Sequence, residues 1–175
     1  MISLDGFFEG LNRELDWHNV DDEFHEFADR QLGTVDTLLF GRVTYQMMAN
    51  YWPVAIISDP VIASKMNGLP KLVFSRTLKT VEWNNSRLSK GELVEEVSNL
   101  KKQPGKDIAL LGSATLLSAL MEANLVDEHR IMIVPIILGS GNPLFKKMER
   151  RHRLQLLRTT AYKSGNVLLV YKPTT

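Results

Sequence analysis

Short apolar runs alternate with amphipathic segments along this chain, a rhythm that predicts strands and helices in turn and therefore an α/β layer architecture. Val20, Phe24, Phe27, Ala28 and Leu32 recur at helical spacing, so residues 21–32 read as a helix with one buried stripe and acids on its other face. Leu38–Phe40 reads as a strand and is followed by a short helix from Thr44. Asp59-Pro60 supplies an N-cap and a first-turn proline for a helix reaching about Asn67. Lys71–Ser75 is the next strand, and Val81–Trp83 and Arg87-Leu88 are weaker ones. Ser89-Lys90-Gly91-Glu92 has the spacing of a capping box ahead of the stripe Leu93, Val94, Val97 and Leu100. Ile108–Leu111 is a continuous apolar run too short for a helix, which predicts a central parallel strand buried on both faces. Leu154–Leu157 and Val167–Tyr171 read as terminal strands joined by a turn at Ser164-Gly165-Asn166.

Composition narrows the picture. A length of 175 residues suits one domain, 1–175, with a proper core. Lys and Arg total 21 against 20 for Asp and Glu, so there is no global charge argument for a nucleic-acid or membrane partner. The absence of cysteine removes disulfides, thiolate metal sites and thiol nucleophiles, and fits a cytoplasmic protein. His18 and His25 are seven apart and His129 and His152 stand alone, so the histidines predict no metal site. No apolar run reaches eighteen residues, and the start lacks the basic region of a signal peptide, so a soluble, unexported chain is expected.

Candidate chemistry lies at the strand ends. In Thr37–Tyr45 an apolar run stops at Gly41 and gives way to Arg42, Thr44 and a new helical pattern. The unpaired amides and partial positive charge of a helix N-terminus favour an anion, and Arg42 adds a fork of donors suited to phosphate. A turn with a solvated arginine would read the same way. Gly112-Ser113-Ala114-Thr115 repeats the arrangement, leading from a strand into Leu116, Leu117, Leu120 and Met121. There Ser113 or Thr115 could donate to a phosphate, or Ser113 could merely cap the helix. Ser75-Arg76-Thr77 follows a third strand. In an open parallel sheet ligands sit outside the carboxyl ends of strands, so one dinucleotide could span all three loops. The single G-x-G, Gly139-Ser140-Gly141, runs into Asn142-Pro143 without a helix, so a Rossmann fingerprint is not supported. Lys146–Arg153 is a dense basic run that reads as a solvated loop between strands.

Six segments in order resemble the dihydrofolate reductase-like superfamily, in particular stand-alone relatives of the reductase domain of the riboflavin-biosynthesis deaminase-reductase. They are Ser3-Leu4-Asp5-Gly6; Leu15-Asp16-Trp17; Leu39-Phe40-Gly41-Arg42-Val43-Thr44-Tyr45; Lys71–Thr77; Leu111-Gly112-Ser113-Ala114-Thr115-Leu116; and Leu125–Glu128 through Pro135–Phe145. The resemblance implies an α/β, three-layer fold with a mostly parallel central sheet closed by an antiparallel C-terminal strand, and NADPH lying across the strand ends. Gly41, Arg42 and Thr44 would hold the diphosphate and the 2′-phosphate side. Ser75 and Arg76 would hold the adenosine ribose and its 2′-phosphate, and Gly112, Ser113, Ala114 and Thr115 would cradle the pyrophosphate. Asp5 and Gly6 through Trp17 would form a mobile lid over the nicotinamide.

True dihydrofolate reductases place an acid five positions after the lid tryptophan, which falls on Asp22. A buried acid there could orient a pteridine- or pyrimidine-like ring and supply a proton. Three features depart from the pattern: the pyrophosphate turn has Gly112-Ser113 instead of Gly-Gly, the first strand is short, with only Met1–Leu4 ahead of Asp5-Gly6, and the zinc deaminase signature is absent. The implied activity is NADPH-dependent reduction of such a heterocycle, with 5-amino-6-(5-phosphoribosylamino)uracil as the riboflavin-type substrate. Dihydrofolate reduction and a non-catalytic nucleotide-binding module are the alternatives, and a nucleic-acid binder using the basic run is a third class. Exposed terminal strands predict a homodimer.

Overall fold

A computed structural model describes residues 1–146 and 148–174. In chain order the elements are β1 (Ile2–Ser3), β2 (Phe7–Glu9), α1 (Asp22–Gly33), β3 (Val35–Gly41), α2 (Arg42–Tyr51), α3 (Pro60–Gly68), β4 (Lys71–Phe74), β5 (Ser86–Leu88), α4 (Leu93–Lys101), β6 (Asp107–Leu110), α5 (Ala114–Glu122), β7 (His129–Val134), β8 (Asn142–Pro143), β9 (Leu154–Ala161) and β10 (Val167–Pro173). They group into two compact units, Asp22–Leu116 and the combination of Met1–Asp21 with the chain from Leu117 onward.

The first unit holds a four-stranded parallel sheet in the order β5-β4-β3-β6. Leu38 and Phe40 of β3 and Val73 of β4 are fully buried among Leu32, Tyr45, Ile62, Met66 and Trp83, so the core lies on this sheet. Predicted helices and strands fall close to their expected places, and Asp59 caps α3 by accepting from the Ile62 amide at 3.3 Å. Three local expectations need correction. Ile108–Leu110 does not form the central strand: β6 lies at the end of this sheet and is only half-buried, and β3 occupies the middle. Val81–Trp83 is not a strand, because the Tyr45 hydroxyl takes the amides of Glu82 and Trp83 at 3.1 and 3.0 Å and holds that segment as a loop over the core. Ser89 does not cap α4, whose N-cap is Glu92; its hydroxyl goes instead to the Glu96 carboxylate.

One buried charge stands out in this unit. The Lys71 ammonium, in a residue 1% exposed, donates to the carbonyls of Leu69, Asn84 and Asn67 at 2.7, 3.0 and 3.1 Å, and lies 4.3 Å above the Trp83 ring. Three carbonyl acceptors fill its three donor positions, which makes burial tolerable. Burial still pulls its pKa down to about 8.

The second unit holds a mixed sheet, β1-β7-β10-β9, in which β1 and β7 are parallel and the others antiparallel. The β9–β10 hairpin turns at Gly165, whose φ of +87° suits glycine, as the Ser164-Gly165-Asn166 reading required. Asn166 is buried and donates to the Asn19 carbonyl at 2.8 Å, while Asn19 donates to the Ser164 carbonyl at 3.1 Å. β9 is the edge strand, carries exposed Leu156 and Leu157, and is bulged opposite Val170 and Tyr171. In the basic run, Lys147 lies outside the described residues. Arg150 and His152 approach the Glu122 carboxylate at 3.4 and 3.5 Å, so that segment is tethered as well as solvated.

Candidate functional site

Strand register brings the three candidate loops of the first unit to one rim. Gly41 pairs with Phe74 and Leu39 with Leu110, so β3, β4 and β6 end level and release Arg42, Ser75-Arg76 and Gly112-Ser113 on the same side. Parallel strands make this unavoidable, because all their carboxyl ends point one way. A fourth loop arrives with them: Leu88 pairs with Val73, and Ser89-Lys90-Gly91 follows at that rim. Sequence reading passed over this loop as a helix cap. Its real signal is Glu96, whose carboxylate collects the Ser89 hydroxyl, the Arg87 guanidinium at 2.6 Å and the Gly91 amide at 3.2 Å. Burial pushes that carboxyl up, but the three donors outweigh it and hold it below its ordinary value.

The first and last of the predicted turns are stitched together by one hydroxyl. Ser113 is buried and has a φ of +55°, directly after Gly112 at +58°. Its oxygen accepts from the Gly41 amide at 2.9 Å and donates to the Thr44 hydroxyl at 3.1 Å. A Cβ on Gly112 would come into ordinary contact with the Thr44 side chain at 3.5 Å, and one on Gly41 would reach the Ser113 hydroxyl at 3.4 Å. The α2 N-terminus therefore sits against the turn before α5. Gly41 has no side chain to cap α2, so the N-cap residue itself offers the first-turn amides no oxygen. Arg42 is exposed and reaches only Gln46, at 3.1 Å; Arg76 is exposed too, and neither has a carboxylate partner among the described residues. Ser75 accepts from the Thr77 and Leu78 amides at 3.1 and 2.9 Å, which shapes the turn that presents Arg76. Thr115 is exposed and Ala114 buried at the start of α5.

The expected lid residues lie in the second unit. Asp5 is exposed and accepts from the amides of Leu138 and Gly139 at 3.2 and 2.8 Å. The Ser3 hydroxyl and these amides hold its carboxyl below the ordinary value. Gly6 has a φ of +91°, after which β2 pairs with β8, giving part of the expected lid regular structure. Gly141 permits that pairing, since a Cβ there would lie 2.6 Å from the Glu9 carbonyl oxygen. Trp17 donates to the Glu14 carbonyl at 3.1 Å and stacks edge-on against His18. Burial pulls the His18 imidazole down to about 4. Asp22 opens α1 and is exposed, where its carboxylate also complements the helix N-terminus. Among the described residues no cluster of three potential metal ligands occurs, and no helix is long and apolar enough to cross a membrane.

Residues 1–168 match the family described as the RibD C-terminal domain. The uncharacterized protein YyaP of Bacillus subtilis (strain 168) is 38% identical over 174 residues, covering 97% of this chain and 90% of that protein. Among solved structures, a Shewanella sp. PV-4 protein provisionally described as a riboflavin biosynthesis protein is 25% identical. It superposes with a TM-score of 0.76 over 99% of this chain and 96% of the other. A dihydrofolate reductase from Enterococcus faecalis, complexed with NADP(H), shares the fold at 13% identity, with a TM-score of 0.61 over 99% and 93% of the two chains. The fold is thus the mixed α/β, dihydrofolate reductase-like one, and the chain belongs to the RibD C-terminal domain family.

Proposed function

We propose that residues 1–175 act as one NADPH-dependent reductase domain that transfers a hydride to a pteridine- or pyrimidine-type heterocycle. The 5-amino-6-(5-phosphoribosylamino)uracil type of substrate is the leading candidate, in a cytoplasmic homodimer. Family membership supports a reductase-like role. The observation that carries the cofactor is the rim of the parallel sheet, where an uncapped helix N-terminus and two exposed arginines without carboxylate partners converge. This donor set suits a dinucleotide with an extra phosphate: amides for the diphosphate, guanidinium forks for a group carrying nearly two negative charges.

NADPH, when bound, supplies the hydride. The chain's own residues bind and orient. Arg42 and Arg76 neutralise phosphate, and Thr44 and the Gly112–Thr115 turn bring backbone close to it. Because the Ser113 hydroxyl is engaged by Gly41 and Thr44, its role in this proposal is to set the spacing of the two turns. Asp5, Gly6 and Trp17 belong to the segment that covers the nicotinamide. Asp22 is the carboxylate that orients the acceptor through its ring N–H groups.

The test is a fluorescence titration of NADPH and NADH into the wild type, Arg42→Ala and Arg76→Ala. At least a tenfold preference for NADPH, about 1.4 kcal/mol, is expected, and either variant loses it. A folded protein that binds neither nucleotide would sink the reductase reading. Once an acceptor is found, Asp22→Asn is expected to lower kcat and leave NADPH affinity unchanged.

A further inference from the structure

Three neighbouring strands of the parallel sheet each release, at the same rim, a loop with an exposed cation: Arg42 after β3, Arg76 after β4 and Lys90 after β5. Adjacent strands run about 4.8 Å apart, so the Lys90 loop lies one such step from the Arg76 loop and two from Arg42. Like Arg76, Lys90 has no carboxylate partner among the described residues. Arg87, which precedes the loop, is different: its guanidinium is taken by Glu96 at 2.6 Å.

Glu96 does more than pair with Arg87. Its side chain is 17% exposed, and its carboxylate also accepts from the Ser89 hydroxyl and, at 3.2 Å, from the Gly91 amide. The residues immediately before and after Lys90 are thus bound to one carboxylate. Gly91 lets that carboxylate come close, since a Cβ there would stand 3.4 Å from its oxygen. None of the three donors belongs to α4, so the carboxylate serves the loop and not the helix that carries it. Together the donors hold it below its ordinary pKa against the opposing effect of burial.

We infer that Glu96 is a positioning residue of the nucleotide site: by clamping both neighbours of Lys90 it fixes the backbone that carries that ammonium, beside Arg76, where the two cations share a phosphate monoester. The inference rests on the NADPH reading and deepens it, adding the extra phosphate's third loop. A lysine on a clamped backbone gives up less freedom on binding than one on a loose loop, which is how a residue that never touches the phosphate raises affinity for it.

The test titrates NADPH and NADH into the wild type, Lys90→Gln, Lys90→Arg, Glu96→Gln and the double variant Lys90→Gln/Glu96→Gln, with circular dichroism on each. Glu96→Gln keeps the side chain's size but turns an amide NH2 against one of the donors, which opens the clamp. In Lys90→Gln the NADPH dissociation constant is expected to rise about fivefold, the upper end for an exposed ion pair, and to recover in Lys90→Arg, while NADH does not change. Glu96→Gln weakens NADPH about threefold with NADH again unmoved, and the double variant is no weaker than Lys90→Gln alone, because Glu96 acts through Lys90. The sign of the Glu96→Gln effect discriminates: a carboxylate that merely stood near the phosphate would repel it, and removing its charge would tighten NADPH. If Glu96→Gln does not fold, Ser89→Ala opens the clamp from the other side and is held to the same outcome. NADPH affinity unchanged in Lys90→Gln, unchanged or tighter with the clamp open, or falling equally for NADH overturns the inference. A wild type that binds neither nucleotide overturns the reductase reading and this inference with it, whereas a wild type that prefers NADPH beside variants that do not move overturns this inference alone.

Discussion

Replacing Ser113 tests the stitch between the two strand-end turns, and the pair Ser113→Ala and Ser113→Gly separates its two energetic components. In the alanine variant the Gly41 amide loses the acceptor it now has at 2.9 Å, and Thr44 loses a donor at 3.1 Å. Leaving a part-buried amide unpaired costs about 1–3 kcal/mol. Alanine also keeps the φ of +55°, where an L side chain is about 1 kcal/mol less comfortable than glycine. The glycine variant loses the same bonds but relieves that strain, so its net change is about 0–2 kcal/mol. Urea unfolding with unchanged slope should rank wild type above Ser113→Gly and Ser113→Gly above Ser113→Ala by about 1 kcal/mol. Alanine indistinguishable from wild type would refute the stitch. Glycine less stable than alanine would refute the backbone strain. NADPH affinity should fall more in the alanine variant than in the glycine variant, because only alanine leaves the turn both unbonded and strained.

Three further outcomes follow from buried groups. Lys71→Met removes the donor to the Leu69 and Asn84 carbonyls, while Asn67 keeps a bond from Asn85 at 3.3 Å; urea unfolding should show a loss of about 2–4 kcal/mol. His18, held near 4 by burial, stays neutral in the folded chain below its unfolded value of 6.5, so the unfolded state binds the extra proton there. Stability is fully present above pH 6.5 and falls as pH drops towards 4, by about 2 kcal/mol after allowing for partial exposure; thermal melts against pH should show this slope, flattened in His18→Gln. Gly141→Ala would put a methyl 2.6 Å from the Glu9 carbonyl oxygen, so β2 must part from β8. A loss of about 1–3 kcal/mol is expected, with faster hydrogen exchange at Glu9, whereas unchanged exchange would show that the contact relaxes freely.

Local patterning was enough to reveal most elements and the family. Helical spacing of Phe24, Phe27, Ala28 and Leu32, the Asp59-Pro60 start and the Gly165 turn depend on neighbours within a few residues, where steric and hydrogen-bond preferences act directly. The strand-end glycines Gly41 and Gly112 were legible for the same reason, as apolar runs breaking into helical ones. Tertiary structure decided what those residues do with one another. Only register shows that Gly41 and Ser113, 72 positions apart, share a hydrogen bond and that Ser89 and Glu96 add a fourth loop to the rim. Only burial shows that Asp22 is exposed, that β6 lies at a sheet end, and that Lys71 is wrapped in carbonyls. Only the folded chain shows that Met47, Tyr51, Val54, Ile57 and Val61 are exposed, because hydrophobicity alone does not tell a core position from a surface one. That difference is one of solvent access, and solvent access depends on the packing of the folded chain.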